Sequence, residues 1–176
     1  MFIWLGLETE ESLKYLNDKV SKIEDKYEFK TRNSIFPFHI SLKMSFDVSD
    51  SIYLKVINDL KEVLKRHKST TVIVKGIERN ENIVWIRYLN NDLLDNMHKD
   101  ICEYLKNEYG ITLHEYDLDF IFHTTLFMDD DKDKIKGAYE LIKDEALPSE
   151  IKLSRVLFGV TKDISLGLKI IDSLDL

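Results

Sequence analysis

The sequence is poor in cysteine, proline, glycine and long apolar runs. It has one cysteine in 176 residues, Cys102, which excludes an internal disulfide and a cysteine-based zinc cluster. A chain without disulfides is typical of the reducing cytoplasm, which is the location expected here. Cys102 follows Ile101 in a helical pattern and is predicted to be a buried structural thiol. With only 2 prolines and 6 glycines, no flexible linker or low-complexity tract divides the chain.

Two further absences concern membranes and nucleic acids. No apolar run approaches the roughly 20 residues of a membrane-spanning helix, so no membrane partner is expected. The chain has 25 Lys and Arg residues against 32 Asp and Glu residues, a formal net charge of −7. Proteins that bind long nucleic acids neutralise many phosphates and usually carry a basic surface. An extended nucleic-acid surface is therefore not expected, whereas a small phosphorylated ligand in a local pocket is compatible with this charge.

One stretch of nine residues occurs twice in the sequence. Residues 36–44 read F-P-F-H-I-S-L-K-M and residues 120–128 read F-I-F-H-T-T-L-F-M, so both copies follow F-x-F-H-x-[ST]-L-x-M. Each copy has the apolar, period-2 pattern of a strand. A single histidine on a strand is more often structural than catalytic. Two histidines in matching frames, each followed at i+2 by a hydroxyl residue, favour a functional role.

Alternate side chains of a strand share a face, so each copy should have a core face and a histidine face. The predicted core face consists of Phe36, Phe38, Ile40, Leu42, Met44, Phe120, Phe122, Thr124, Leu126 and Met128. The predicted histidine face consists of His39, Ser41, Lys43, Ile121, His123, Thr125 and Phe127. Each copy therefore presents an imidazole and a hydroxyl two residues apart on the same side of a sheet.

The elements around the two copies also match, which indicates an internal duplication. Each half reads strand, helix, histidine strand, helix, strand, and Trp4 and Trp85 lie in the two opening strands as predicted core residues. The prediction is an α+β fold in one bilobal domain, with two pseudo-twofold-related lobes of mainly antiparallel sheet, helices outside and a central cleft. The predicted ranges are the whole domain 1–176, βαβαβ halves of about 1–78 and 82–160 with a last strand at 151–160, and a C-terminal strand at 166–175.

Two imidazoles across a cleft suit acid–base catalysis at phosphorus. Histidine titrates near pH 6.5, so one ring can take a proton from the attacking hydroxyl while the other protonates the leaving oxygen. Ser41 and Thr125 offer O–H donors for non-bridging phosphoryl oxygens. An in-line displacement places nucleophile and leaving group on opposite sides of phosphorus, which a pseudo-twofold site provides. No metal or other cofactor is needed for this chemistry.

These residues resemble the 2H phosphoesterase superfamily, and within it the bacterial 2′-5′ RNA ligase and 2′,3′-cyclic phosphodiesterase-like branch. The matching motifs are H-I-S-L at residues 39–42 and H-T-T-L at residues 123–126. The likeness extends to the order of elements and the terminal strands. It implies a 2′-5′ RNA ligase-like fold and a metal-independent hydrolase. The implied substrates are 2′,3′-cyclic phosphates of nucleotides or RNA ends, or 2′-5′ linkages.

The resemblance also implies roles for single residues. His39 and His123 would be the catalytic acid–base pair, with the acid and the base left unassigned, and Ser41 and Thr125 would bind phosphate. The acidic run Asp129–Asp131 follows the second motif, where RNA-processing members often have basic residues, and it would repel an extended RNA backbone. The expected partner is therefore a small phosphorylated nucleotide or RNA end, bound by a monomer.

Several alternatives stay open at this point. The same fold could serve a non-catalytic protein that binds nucleotides or RNA ends, and the two histidines could join Asp129–Asp131 in a metal site. Lys43 could bind phosphate or be a solvated lysine at the rim. His114 could border the cleft, although a surface position is favoured, and His67 and His98 are predicted to face solvent.

Overall fold

Two antiparallel sheets and the helices that cover them make up residues 1–163 and 167–176, the part of the chain that the computed structural model describes. The strands are β1 (Phe2–Glu8), β2 (His39–Ser41), β3 (Phe46–Asp47), β4 (Thr70–Asn80), β5 (Ile83–Tyr88), β6 (His123–Met128), β7 (Glu150–Leu153), β8 (Arg155–Thr161) and β9 (Lys169–Asp175). The α-helices are α1 (Glu10–Leu13), α2 (Asn17–Tyr27), α3 (Tyr53–Leu64), α4 (Asp92–Tyr109), α5 (Glu115–Leu118) and α6 (Lys132–Ile142). Short 3₁₀ helices cover Lys14–Leu16 and Asn33–Ile35.

The two sheets have equivalent strand orders. The first runs β2-β1-β8-β9, with β3 also pairing with β1, and the second runs β6-β5-β4-β7. The two histidine strands, β2 and β6, occupy the same edge position, and the opening strands β1 and β5 lie next to them. Every pairing is antiparallel. The α+β architecture with antiparallel sheets, predicted from the repeated element order, is confirmed.

The sheets do not divide at the midpoint of the sequence. The strand predicted at 151–160 is two strands separated by Ser154, because β7 pairs with β4 and β8 pairs with β1. The chain thus passes from the second sheet into the first at Ser154. In the same way, β4 belongs to the second sheet although it ends the first half of the sequence. The C-terminal strand begins at Lys169; residue 166, where it was predicted to begin, lies outside the described residues.

The apolar faces of the strands and helices meet in a continuous core. In β1, the alternate residues Ile3, Leu5 and Leu7 are fully buried, as the strand periodicity requires. In α4, the buried side chains recur at helical spacing between Leu94 and Leu105. Helices α2 and α6 pack together, and so do α3 and α4. Of the helices in the described ranges, none is long and apolar enough to cross a membrane.

Candidate active site

His39 and His123 occupy matching places at the edges of the two sheets. His39 is the first residue of β2 and pairs with Glu8 in β1. His123 is the first residue of β6 and pairs with Arg87 in β5. The strands β2 and β6 lie next to each other, and we refer to the space between their two histidines as the cleft. They are close enough that positive charge on His123 helps to lower the pKa of His39.

The same local hydrogen bond fixes the tautomer of both rings. His39 Nδ1 lies 2.8 Å from the carbonyl oxygen of Pro37, and His123 Nδ1 lies 2.7 Å from that of Ile121. A carbonyl oxygen only accepts, so each Nδ1 is the donor. In the neutral ring, Nε2 then carries the lone pair. Both histidines therefore offer the same atom, Nε2, for proton transfer.

Burial favours the neutral form of both imidazoles. Burial lowers the pKa of His39 to about 4, against the opposing effect of the hydrogen bond to Pro37. Burial also lowers the pKa of His123; the hydrogen bond to Ile121 opposes this shift, and the positive charge of Arg87 adds to it. A phosphate bound between the rings would favour the protonated form of each, because opposite charges attract.

The first hydroxyl residue, Ser41, is held by a tryptophan. Trp4 Nε1 donates a hydrogen bond of 3.1 Å to Ser41 Oγ, and its ring lies edge-on to His39 with centroids 4.5 Å apart. Phe36 packs on both rings. Only glycine fits at position 6, since a Cβ there would lie 2.5 Å from Trp4 Cζ2. Trp4 is buried as predicted, at 4% exposed, but it packs with Phe36 on the histidine face and not in the main apolar cluster. The prediction that Phe36 faces the apolar core is wrong, and the two rings form an aromatic wall beside His39.

The second hydroxyl residue, Thr125, lies opposite Trp85 in the ladder between β5 and β6. The Trp85 ring lies 4.6 Å from the ring of His123, so this tryptophan also lines the cleft instead of the core. The guanidinium of Arg87 stands over Trp85, 5.3 Å from the ring centroid. Arg87 was not among the residues predicted for the site. The alternation W-I-R places it on the same face as Trp85, but only the strand register shows that it lies beside His123.

A β-bulge reverses the alternation at the end of β6. The register shifts by one residue, so that Phe127 pairs with Val84 and shares its buried face. Phe127 is 0% exposed and packs on Phe29, whereas Met128 is 45% exposed. The predicted positions of Phe127 on the histidine face and Met128 in the core are therefore wrong. The extra residue that a bulge inserts moves every later side chain to the other side.

Lys43 is neither a phosphate ligand nor a rim lysine. It is 2% exposed and forms an ion pair with the carboxylate of Asp117. That carboxylate also accepts hydrogen bonds from the backbone N–H groups of Met44 and His114. Burial acts to raise the pKa of Asp117, but the hydrogen bond from Lys43 and those from the two backbone N–H groups outweigh it, so the pKa is lowered. Strand β2 ends at Ser41, so the alternation that predicted a cleft-facing Lys43 does not reach it.

His98 lies against this ion pair instead of facing solvent. Its Nδ1 is 2.8 Å from the carbonyl oxygen of Leu42, and its Nε2 is 3.0 Å from that of Asp117. His98, Cys102 and Asp117 bring possible metal-ligand atoms within 4.8 Å of one another. They do not suit a metal, because both ring nitrogens face acceptors and Asp117 is paired with Lys43. Cys102 is buried as predicted, and burial raises the pKa of its thiol to about 11.

The remaining histidines and the acidic run have structural roles. His67 Nε2 lies 3.0 Å from Asp100, so its ring is held by an ion-pair partner instead of facing solvent freely. His114 is exposed, as favoured from the sequence, and its side chain caps α5. Asp131 caps α6 by accepting hydrogen bonds from backbone N–H groups, and Asp129 in turn accepts one from the N–H of Asp131. The acidic run after β6 thus begins a helix.

The sequence profile of a known protein family matches most of the chain. Residues 10–163 match the sequence profile of the 2′-5′ RNA ligase superfamily, so the chain belongs to this family. Membership supports a phosphoesterase or RNA-ligase-like activity and confirms the resemblance seen in the two motifs. No curated protein matches the sequence.

Solved structures show the same fold at low sequence identity. A phosphoesterase crystal structure is 9% identical, with a TM-score of 0.62, and the match covers 99% of this chain and 98% of that one. E. coli LigT complexed with 3′-AMP is 9% identical, with a TM-score of 0.61 and coverage of 99% and 96%. TT0787 of Thermus thermophilus is 12% identical, with a TM-score of 0.61 and coverage of 100% and 98%. At these identities the likeness establishes the fold alone.

Proposed function

We propose that this protein is a metal-independent phosphoesterase that acts on cyclic phosphodiesters, with His39 and His123 as its catalytic pair. The substrates would be 2′,3′-cyclic phosphates of nucleotides or RNA ends, or 2′-5′ linkages. One observation carries the proposal: two imidazoles on adjoining edge strands are each held through Nδ1 and leave Nε2 for proton transfer. Family membership supports the same class of chemistry.

In this proposal the two histidines have different roles. The pKa of His39, which burial lowers to about 4, supports its assignment as the general base, because a base must be neutral to accept a proton. In hydrolysis of a 2′,3′-cyclic phosphate, His39 takes a proton from the attacking water as the new P–O bond forms. His123 gives a proton to the ribose oxygen as the old P–O bond breaks, leaving a phosphomonoester. An acid limb near pH 4 in the pH profile of kcat/KM tests this assignment.

The two hydroxyl residues would hold the non-bridging oxygens of the reacting phosphate. Ser41 Oγ accepts from Trp4, so its own O–H proton is oriented away from the indole and can be donated to a phosphoryl oxygen. Thr125 follows His123 by two residues on the cleft face of β6. Donors aimed at these oxygens stabilise the negative charge on the transferring group.

Charge and the known relatives favour a small substrate. The net charge of −7 and the acidic run Asp129–Asp131 at the end of β6 would repel an extended RNA backbone. E. coli LigT has been solved with 3′-AMP, phosphate, ATP and NADP⁺, all of which are nucleotide-sized or smaller. We therefore expect a nucleotide or a short RNA end in the cleft of a monomer.

Turnover in the presence of EDTA tests the proposal. We expect hydrolysis of at least one of the 2′,3′-cyclic mononucleotides, cyclic-phosphate-ended oligonucleotides or 2′-5′ dinucleotides. His39→Ala and His123→Ala should each reduce kcat by roughly 10²–10⁴-fold, and the double variant should lose little more, because the pair acts as a unit. His67→Ala, which changes a histidine paired with Asp100, is the matched control and should keep full activity.

The other outcomes separate the competing functions. Near wild-type turnover by either single histidine variant would exclude the acid–base pair. Tight nucleotide binding with no turnover of any of these substrates would identify a non-catalytic binding protein. Activity that EDTA abolishes and a divalent cation restores would indicate a metal-dependent site.

A further inference from the structure

Two polar side chains in the wall of the cleft have buried nitrogen atoms that make no hydrogen bond to any described residue. Within the described residues, neither Trp85 Nε1 nor Arg87 Nε has a hydrogen-bond partner. Both residues belong to β5 and lie on the same face, and Arg87 pairs directly with His123. Buried donors are nearly always hydrogen-bonded, so two unpaired donors side by side in a cleft indicate a ligand.

The surroundings of Arg87 leave its charge available to an anion. Its guanidinium stands over the Trp85 ring, 5.3 Å from the centroid, which orients the planar group along the cleft wall. Its ion-pair partner is Glu78, but the distance between Arg87 Nε and Glu78 Oε2 is 3.7 Å, and Glu78 lies closer to Lys75 at 2.8 Å. A guanidinium has five N–H donors in a fork that matches phosphate oxygens.

The His39 side of the cleft has no equivalent of this arrangement within the described residues. The residue paired with His39 is the acidic Glu8, whose carboxylate lies 3.7 Å from Arg155. The indole N–H of Trp4 is already bonded to Ser41. Anion-binding donors are therefore concentrated beside His123, and a negatively charged ligand would be bound in one orientation.

We propose that Trp85 and Arg87 form an anion subsite beside His123 that holds a second phosphate of the substrate. This inference rests on the proposed function, because it assumes that the reacting phosphate lies between the two histidines. Strand β5 lies farther from the reacting phosphate than β6 does, by one strand spacing of about 4.8 Å. The group held there is thus a neighbour of the reacting phosphate. The substrate class is a nucleoside 2′,3′-cyclic phosphate that bears another phosphate, such as one at the 5′ position.

Binding of two product analogues tests the subsite without any need for turnover. Calorimetry would compare adenosine 3′,5′-bisphosphate with 3′-AMP on the full chain. We expect the wild-type protein to bind the bisphosphate at least roughly tenfold more tightly, since a charge-assisted bidentate contact is strong. Arg87→Gln should remove most of that preference. Arg87→Lys should recover part of it, because a lysine keeps the charge but not the fork.

Two further variants complete the design. Trp85→Phe, which removes the indole N–H and keeps an aromatic ring, should reduce the preference a few-fold. Arg79→Gln is the matched control, because Arg79 is an exposed arginine on β4 that lies over Tyr139. It should leave both affinities unchanged. Thermal unfolding of each variant would show that the binding changes do not reflect a loss of fold.

Three results would have distinct meanings. Equal wild-type affinity for the two ligands would overturn the subsite. An Arg87→Gln variant that loses affinity for both ligands by the same factor would also overturn it, because Arg87 would then contact the reacting phosphate. Turnover of 2′,3′-cyclic AMP without any preference for the bisphosphate would disprove the subsite and leave the proposed function intact. An Arg87-dependent preference without turnover of any cyclic phosphodiester would support the subsite and disprove the proposed function.

Discussion

The two sides of the cleft carry matching histidine and hydroxyl side chains, but these are held in different ways. On the His39 side, the indole N–H of Trp4 donates a hydrogen bond to Ser41. The buried ion pair Lys43–Asp117 connects the residues that follow Ser41 to α5. On the His123 side, the described residues leave the indole N–H of Trp85 without a partner.

We expect this difference to change what each side contributes to stability and to ligand binding. Hydrogen bonds inside the protein fix the His39 side, so its geometry should be the same with and without ligand. In the proposed subsite, the donors on the His123 side bind the ligand, so that side should contribute more to binding and orientation. Substitutions near His39 are therefore expected to affect stability, and those near His123 to affect affinity.

The largest stability effect is expected from Asp117→Ala. This change leaves the Lys43 ammonium buried without its partner and also removes the acceptor for the N–H groups of Met44 and His114. Breaking one partner of a buried ion pair destabilises a protein by about 3–5 kcal/mol. Urea unfolding would measure the loss, with the exposed Asp130→Ala as control. A loss no larger than that of the control would mean that the pair does not secure the His39 side.

A second prediction uses pH to compare the two histidines. The pKa of His39 is lowered in the folded state from 6.5 to about 4, so its contribution to stability is complete above pH 6.5 and is lost as the pH falls towards 4. The loss should reach about 3 kcal/mol by pH 4, at 1.36 kcal/mol per pKa unit. Unfolding free energies at pH 7, 5.5 and 4 should depend much less on pH in His39→Gln. His123→Gln should reduce the pH dependence of the unfolding free energy less than His39→Gln does. A larger reduction in His123→Gln would contradict this prediction.

Gly6→Ala should disturb the aromatic wall on the His39 side. A Cβ at this position would lie 2.5 Å from Trp4 Cζ2 and 2.9 Å from the carbonyl oxygen of Ile40. Overpacking of this kind destabilises by about 1–3 kcal/mol. Thermal unfolding would compare it with Ser154→Ala at an exposed position between β7 and β8. An unchanged midpoint would show that Trp4 can move without consequence.

The smallest expected effect is the difference in unfolding free energy between Trp4→Phe and Trp85→Phe. Trp4→Phe removes a hydrogen bond to Ser41, whereas Trp85→Phe removes an N–H that has no partner in the described residues. Trp4→Phe should therefore be the more destabilising, by about 1 kcal/mol, the net value of one hydrogen bond. Equal losses of unfolding free energy would remove the evidence that only one of the two indoles is held by the protein.

Local periodicity was enough to predict which side chains of the two histidine strands face away from the core. The repeated F-x-F-H-x-[ST]-L-x-M pattern predicted strands in which His39 and Ser41, and likewise His123 and Thr125, face away from the core, and the structure has this arrangement. The matching order of elements predicted the α+β fold with antiparallel sheets. These inferences depend on neighbours within a few residues, whose side-chain directions the strand geometry dictates. Catalysis by these four residues stays a prediction.

Contacts between distant parts of the chain decided the rest. Asp117 neutralises Lys43 although 74 residues separate them, and the register of β5 and β6 places Arg87 beside His123. The bulge in β6 buries Phe127, against its sequence alternation. The sequence alone determined which residues a strand can present together. Pairing register, bulges and buried ion pairs depend on which strand or helix packs alongside. Only the tertiary structure could therefore show that the indole N–H of Trp4 is bonded within the protein, whereas the described residues leave that of Trp85 without a hydrogen-bond partner.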